Sequence, residues 1–399
     1  MDVDEAHTIG WRLWRVREDR CKSLRVIAGL AGMSKDTLNR IERGLLSPTL
    51  SQIHALADAL QISASELTRL PVPAPANGHT DSTIEAIRRT LDAIDVGHPG
   101  GMVLPLVVLR SRVDLVHIQL RACEFAEVAT ELPGLMRDLH TTLGTGNIDH
   151  HREVLTLGVR LHVHVVRMWL NVAFASLDLR RQVVSLARRL AQEHGDPAQL
   201  GVAAFGVADL LSVNGGLESA RAVLADLTLP SATRDTAGLL AAVLAVHSMM
   251  AVVSGRPGDA TAPMESATDL AAYFGENPDD SLGFGFGPTS VAFRRVRLAL
   301  EAGDPDRAVS IAEEVNPLDN PFPASRVYHW VGYGRALAQL RERHDDAVRT
   351  LRTAERVNPH RVLRDPLVRD TIAVLLRHSR RDSVGQELRG MVRRAGLPV

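Results

Sequence analysis

The sequence predicts an all-α protein in two unequal parts, a compact head of short helices and a long array of helix pairs. Three observations carry that expectation. Hydrophobic residues make up 45% of the 399 and aromatics only 4%, with Ala, Leu and Val dominant, a composition that suits close-packed helices better than sheets. Residues 70–80, LPVPAPANGHT, hold three prolines and a glycine and read as an extended, semi-rigid linker. On both sides of it apolar residues recur at helical rather than alternating spacing. The expected units are residues 1–70, a Pro/Ala-rich linker at 71–82, and residues 83–399.

The head elements follow in order. Residues 8–19 carry Ile9, Leu13 and Val16 on one helical face. Ser23 caps a second helix that buries Leu24, Ile27 and Ala31 and stops at Gly32, and Ser34 caps a third that runs to Arg43 with Leu38 and Ile41 inward. Gly44 terminates it. Pro48 and Thr49 open the fourth, striped by Ile53, Leu56, Ala57 and Leu60. Ser63 begins the fifth, with Glu66 in capping-box register.

Beyond the linker, long helices alternate with short Gly, Asp and Pro turns. Gly215 is followed by Ala220, Leu224 and Leu227, and Gly303 by Ala308. The set Ala347, Leu351, Ala354 and Pro359 repeats the same small-large-small order. A unit near 34 residues marks stacked helix pairs, about six or seven of them between Thr83 and Leu397. The region resembles degenerate tetratricopeptide repeats, whose large aromatic positions are mostly aliphatic here. Such an α-solenoid offers a concave wall for peptides or small molecules.

Net charge is −1, which hides an uneven distribution. Over residues 8–50 nine basic residues stand against four acidic ones, and the only two lysines of the chain, Lys22 and Lys35, lie there. The stretch IGWRLWRVREDRCKSLRVIAGLAGMSKDTLNRIERGLLSPTLSQIHALADALQISASELTRL resembles the Cro/lambda-repressor-type helix-turn-helix of the XRE family. Ala28, Gly32, Ser34, Leu38, Ile41, Glu42, Gly44 and Pro48 carry the resemblance. It implies a five-helix, lambda-repressor-like DNA-binding domain whose third helix enters the major groove. Ser34, Lys35, Asp36, Thr37, Asn39 and Arg40 form the outward face of that helix. Lys35 and Arg40 can donate to guanine, Asn39 can pair with adenine, and Asp36 can accept from cytosine. Arg25 and Arg43 add charge for phosphates, and Ser47, Thr49 and the amides beside them are expected to grip the DNA backbone. Arg12, Arg17 and Glu42 are either part of that surface or scaffold ion pairs. One of Trp11 and Trp14 is expected to dock the head on the repeats.

In the large part, residues 277–290, NPDDSLGFGFGPTS, break the helical pattern. Phe284, Phe286, Thr289 and Arg294 either line a ligand pocket or, for the phenylalanines, plug a gap between repeats. His140, His150, His151, His162 and His164 cluster in sequence, but at spacings that diverge on a helix, so they read as surface or interface histidines and no metal site is expected. Arg377, Arg380, Arg381, Arg389, Arg393 and Arg394 make the C-terminus basic, as a solvated face or a second nucleic-acid contact. Cys21 and Cys123 are expected to be reduced thiols. No phosphate loop, nucleophile elbow or paired-Cys motif is found, so neither an enzyme nor a cofactor is expected.

The whole chain also resembles actinobacterial regulators that fuse an XRE head to tetratricopeptide-like repeats, through FGPTSVAFRRVRLALEAGD and RALAQLRERHDDAVRTLRTAERVNPHRVLRDPLVRD. The acidic, polar start MDVDEAHTIG and the lack of any apolar run of ~18 residues lead to the expectation of a cytoplasmic protein without a membrane segment, and the resemblance implies a transcriptional regulator whose repeats dimerise and sense a peptide or small-molecule signal. Its partner is double-stranded DNA carrying a two-fold operator, read by a homodimer. The alternatives are a repeat-based adaptor or antitoxin-like protein, and a repressor that needs no ligand.

Overall fold

A computed structural model describes residues 8–70, 74–75, 78–145, 150–379 and 382–398. The head comprises α1 (Ile9–Asp19), α2 (Leu24–Leu30), α3 (Lys35–Glu42), α4 (Leu50–Leu60) and α5 (Ala64–Thr68). Thr8, Ser23 and Ser34 cap the first three, each side chain accepting the amide three residues on. A reciprocal capping box forms at α4, between Thr49 and Gln52, whereas at α5 Ser63 accepts from the Glu66 amide. Leu13, Ile27, Leu38, Ile41, Ile53, Leu56, Leu60 and Leu67 close a core of the head's own, with Leu24 and Ala31 at its edge. Gly10 is required where α1 crosses α3, because a Cβ there would lie 1.7 Å from the Ile41 carbonyl oxygen.

The body begins with α6 (Gly78–Asp95), α7 (Leu106–Arg121), α8 (Phe125–Gly144) and α9 (His151–Arg160), the last running through a π-helical stretch, Leu161–Val166, into α10 (Arg167–Val172). It continues with α11 (Leu177–His194), α12 (Pro197–Ser212), α13 (Leu217–Ala225), α14 (Ala237–Val253) and α15 (Thr261–Phe274). After these come α16 (Pro288–Glu301), α17 (Pro305–Glu313), α18 (Pro323–Leu337), α19 (His344–Val357), α20 (Pro359–Arg364), α21 (Pro366–His378) and α22 (Ser383–Arg394). The linker is shorter than expected. Helix α6 starts at Gly78, since Thr80 and Thr83 are buried and Asp81 pairs with Arg364 at 3.0 Å. Of the stretch expected to be linker, residues 71–73 and 76–77 lie outside the described residues.

Helices pack on their neighbours as α11 on α12, α14 on α15, α16 on α17 and α18 on α19. Every second long helix also packs on the next, α12 on α14, α14 on α16 and α16 on α18. The small residues singled out in the sequence lie at these contacts: Ala220, Ala308, Ala347 and Ala354 are fully buried. The seventeen body helices among the described residues exceed the six or seven pairs expected, in part because Asp365 and Pro366 break α20 from α21.

Early and late helices of the body also meet. Helix α18 packs on α7 and α20 on α10. His360 stacks on Phe125 with ring centroids 4.6 Å apart, and the Arg364 guanidinium donates to the Ala173 carbonyl at 2.9 Å.

Candidate nucleic-acid interface

The outward face of α3 begins at its cap. Ser34 Oγ accepts the Thr37 amide at 3.0 Å and meets Thr37 Oγ1 at 2.9 Å, so these two residues hold the helix start rather than project from it. Lys35, Asp36 and Arg40 are exposed and Asn39 half-buried, which leaves four base-competent side chains on one face. Arg25 on α2 and Arg43 at the end of α3 are exposed beside them. The structure thus brings together Ser34, Lys35, Asp36, Thr37, Asn39, Arg40, Arg43 and Arg25.

Other basic residues of the head are scaffold. The Arg17 guanidinium grips Glu42 through two bonds, 2.6 and 2.9 Å, with both side chains buried, and this pairing raises the Arg17 pKa. Arg12 donates to the Glu66 carbonyl and Arg20 to the Leu60 carbonyl, tying α1 to α4 and α5. Lys22, Arg25, Lys35, Arg40 and Arg43 remain exposed, and Arg15 lies over the Trp11 ring at 5.5 Å.

Ser47 and Thr49 are not placed as expected. They are buried, at 8% and 1% exposure, because the loop between α3 and α4 is pressed against the body. Ser47 Oγ donates to Asp370 Oδ2 at 2.5 Å, and the Ile9 amide at the start of α1 donates to Asp370 Oδ1 at 2.8 Å. The Leu50 amide at the start of α4 donates to Glu301 Oε2 at 2.6 Å, while Arg335 holds the other oxygen of Glu301 at 2.6 Å. Arg377 donates to the Arg43 carbonyl at 2.9 Å. Burial pushes the Asp370 carboxyl up to about 6, opposed by the Ser47 and Ile9 hydrogen bonds and by the charges of Arg335 and Arg377. Apolar contact is thin: Leu50 meets Met249 and Val253, and Leu367 touches the head core. These contacts dock the head, while Trp11 and Trp14 are half-buried and Trp11 lies under the Arg15 guanidinium. Asp370, Glu301 and Leu367 escaped the sequence reading because they lie more than 250 residues from their partners, and no local pattern marks them.

The glycine-rich loop is a plug. Phe286 is buried against α14, α15 and α16, and Phe284 packs edge-on against Phe205 and His164 at 5.1 and 4.9 Å. Gly285 adopts φ +61, and a Cβ there would lie 2.0 Å from the Arg121 guanidinium, which is stacked 3.2 Å over Phe322. Thr289 is buried and donates to Glu276 at 2.9 Å, whereas Arg294 lines a separate crevice with Met249 and Tyr328. The four residues expected around a ligand do not share one cavity.

The histidines are also placed differently. His140, His162 and His164 are not on the surface: the first is largely enclosed and the other two fully buried, and His117 joins them. His140 Nε2 meets His162 Nε2 at 2.9 Å, and the His117 and His164 rings lie 5.8 Å apart. The π-helical stretch carries both His162 and His164 inward, which an α-helical spacing argument does not anticipate. Burial holds all four neutral, His117 down to about 3 and His140 to about 4. His151 pairs with Glu193 at the surface and His150 is exposed. No group of three or more His, Cys, Asp or Glu among the described residues is arranged to hold a metal.

At the C-terminus Arg394 pairs with Glu355 at 2.5 Å and Arg393 is exposed; Arg380 and Arg381 lie outside the described residues. Cys21 and Cys123 are free thiols, and burial pushes Cys123 up to about 11. No helix among the described residues is long and apolar enough to cross a membrane.

Compared with known families, residues 8–70 match the model described as a helix-turn-helix domain. No curated protein and no solved structure matches the chain. The match begins at the cap of α1 and ends just after α5, so it covers the five helices that share the head core: residues 8–70 are a helix-turn-helix domain.

Proposed function

We propose that the protein is a non-enzymatic, sequence-specific DNA-binding regulator of transcription, with the body as its dimerisation and sensing part. The observation that carries this reading is the exposed face of α3, where Lys35, Asp36, Asn39 and Arg40 project from a helix-turn-helix domain beside Arg25 and Arg43. Base-edge donors and acceptors on one helix with flanking cations are what direct readout needs. The test is binding of the full chain to a labelled fragment from upstream of its own gene, at several salt concentrations. An Asn39→Ala, Arg40→Ala double variant should lose sequence preference and at least tenfold in affinity, since each good base contact contributes about 1–3 kcal/mol. Binding that is steep in salt yet indifferent to sequence and to these two changes supports the rival reading, an adaptor or antitoxin-like protein.

The reading extends to a cytoplasmic homodimer that senses a signal through tetratricopeptide-like helix pairs, and two features bear on its dimerisation and sensing. Val107, Leu115 and Ile118 form an exposed apolar stripe on α7, continued by Met102 and Val103. A second copy of the chain would cover it and present two heads to a two-fold site. A cavity of about 420 Å³ lies between α14, α15, α16 and α17, a size typical of small-molecule sites, with Glu265, Asp269 and Arg307 among its polar groups. Leu298 lines this cavity and also packs in the cluster that receives Leu50 of the head. A ligand there would bear on the head's seat.

A further inference from the structure

The head meets the body through its anion-seeking groups. Two helix starts and one hydroxyl are involved: the Ile9 amide opens α1, the Leu50 amide opens α4, and Ser47 lies in the loop between α3 and α4. Each donates to a buried carboxylate of the body, Asp370 or Glu301, at 2.5–2.8 Å. The amides at a helix start and the positive end of its dipole favour negative charge, so a carboxylate fits there for the same reason a phosphate does. The loop and the start of α4 follow directly on α3, the helix with the base-competent face, where a duplex lying along α3 would bring its backbone. The body holds those donors while the base-competent face itself stays exposed.

We propose that Asp370 and Glu301 stand in for two DNA phosphates, so that the docked chain is a self-inhibited form and full DNA binding requires the head to leave the body. This rests on the DNA-binding reading above. Three features fit such a release. The head has a core built from its own five helices, to which the body adds only Leu367. The apolar part of the seat is small, centred on Leu50, Met249, Val253 and Leu367. The polar part includes hydrogen bonds to two backbone amides and a hydroxyl, which phosphates can replace, and bonds at the Arg43 carbonyl and between buried His54 and the Val213 backbone, which water can replace.

The experiment compares the full chain with Leu367→Asp and, separately, Met249→Asp, using a labelled 30-bp duplex of random sequence and a duplex selected by the wild-type protein. Both changes lie on the body, outside the DNA-contacting face, and both add negative charge, which by electrostatics alone would weaken DNA binding. Hydrogen exchange at the Leu50 amide reports release of the head, and circular dichroism reports that the fold persists. Released variants should bind about 5- to 150-fold more tightly, the range of a usual coupling between two states, and their affinity should fall more steeply with salt as additional phosphates are engaged. Released variants that bind no more tightly than wild type would overturn the inhibitory contact and leave the DNA-binding reading standing. If neither wild type nor released variants bind either duplex at low salt, both readings fall together.

Discussion

The body makes two internal interfaces of opposite character, one with its own plug and one with the head. The plug buries aromatic rings, Phe284 against Phe205 and His164 and Phe286 in a cluster of helices α14–α16, and its glycines leave no room for side chains. The head instead rests on carboxylates bonded to helix starts, with a narrow apolar contact around Leu50. Apolar burial has no substitute partner in water, whereas a hydrogen bond to an amide can be exchanged for one to a phosphate or to solvent. On the proposed release, the first interface stays in place and the second parts without unfolding either side.

The largest effect should come from the plug. Phe286→Ala is expected to cost about 3–5 kcal/mol of body stability, read as a lowered midpoint in urea, because the ring is buried and its cavity cannot collapse. A small loss would mean the plug is as loosely held as the head. Within the head, Glu42→Ala should cost about 1.5–3 kcal/mol, since it removes two charged hydrogen bonds from the Arg17 guanidinium, which keeps Glu18 and the Lys22 carbonyl. Leu367→Ala should cost the docked arrangement only about 1–2 kcal/mol, the loss for a half-buried leucine, and leave the body's midpoint in place.

Acid should act on the two interfaces with opposite signs. His117, His140, His162 and His164 have folded-state pKa values lowered from 6.5, so the unfolded chain takes up protons first as pH falls. Body stability is therefore complete above about pH 6.5 and declines as pH falls toward 4. Asp370 has its pKa raised from 3.8 to about 6 in the docked form, so docking takes up a proton within that window. Docking is favoured below about pH 4 and weakens as pH rises through 6. Small-angle scattering from pH 7.5 to 5.5 should show the population of extended particles shrinking, while urea midpoints fall over the same range; parallel changes would contradict the assignment. The smallest effects should come from Arg25→Ala and Arg43→Ala, each lowering the salt slope of DNA binding by about one without changing sequence preference.

The head was legible because its signals are local. Ser23 and Ser34 lie one residue before their helices, Gly32 and Gly44 take positive φ where those helices end, and Leu38 and Ile41 turn inward at helical spacing. The outward face of α3 followed from the same periodicity. Ser47 is turned away from solvent by Asp370, and Thr49 caps α4 beside the Leu50 amide that Glu301 holds, and both carboxylates lie far along the chain, unmarked by any pattern. The body's small residues were readable as helix contacts, but the return of α20 onto α10 depends on Arg364 and His360 meeting groups some 190 to 235 residues away. His162 and His164 are both buried because the whole π-helical stretch Leu161–Val166 is enclosed on all sides, which histidine spacing alone does not announce.

The central claim, that the head reads DNA with α3 after leaving its seat, is tested most directly by hydrogen exchange on the full chain with and without a selected duplex. The duplex should slow exchange across Lys35–Glu42 and at the start of α4, while speeding it at the start of α21, where Leu367 loses the head. Slowed exchange at α3 with unchanged protection around Leu367 would show that the docked form binds DNA as it stands. No change at α3 would remove that helix as the reading element.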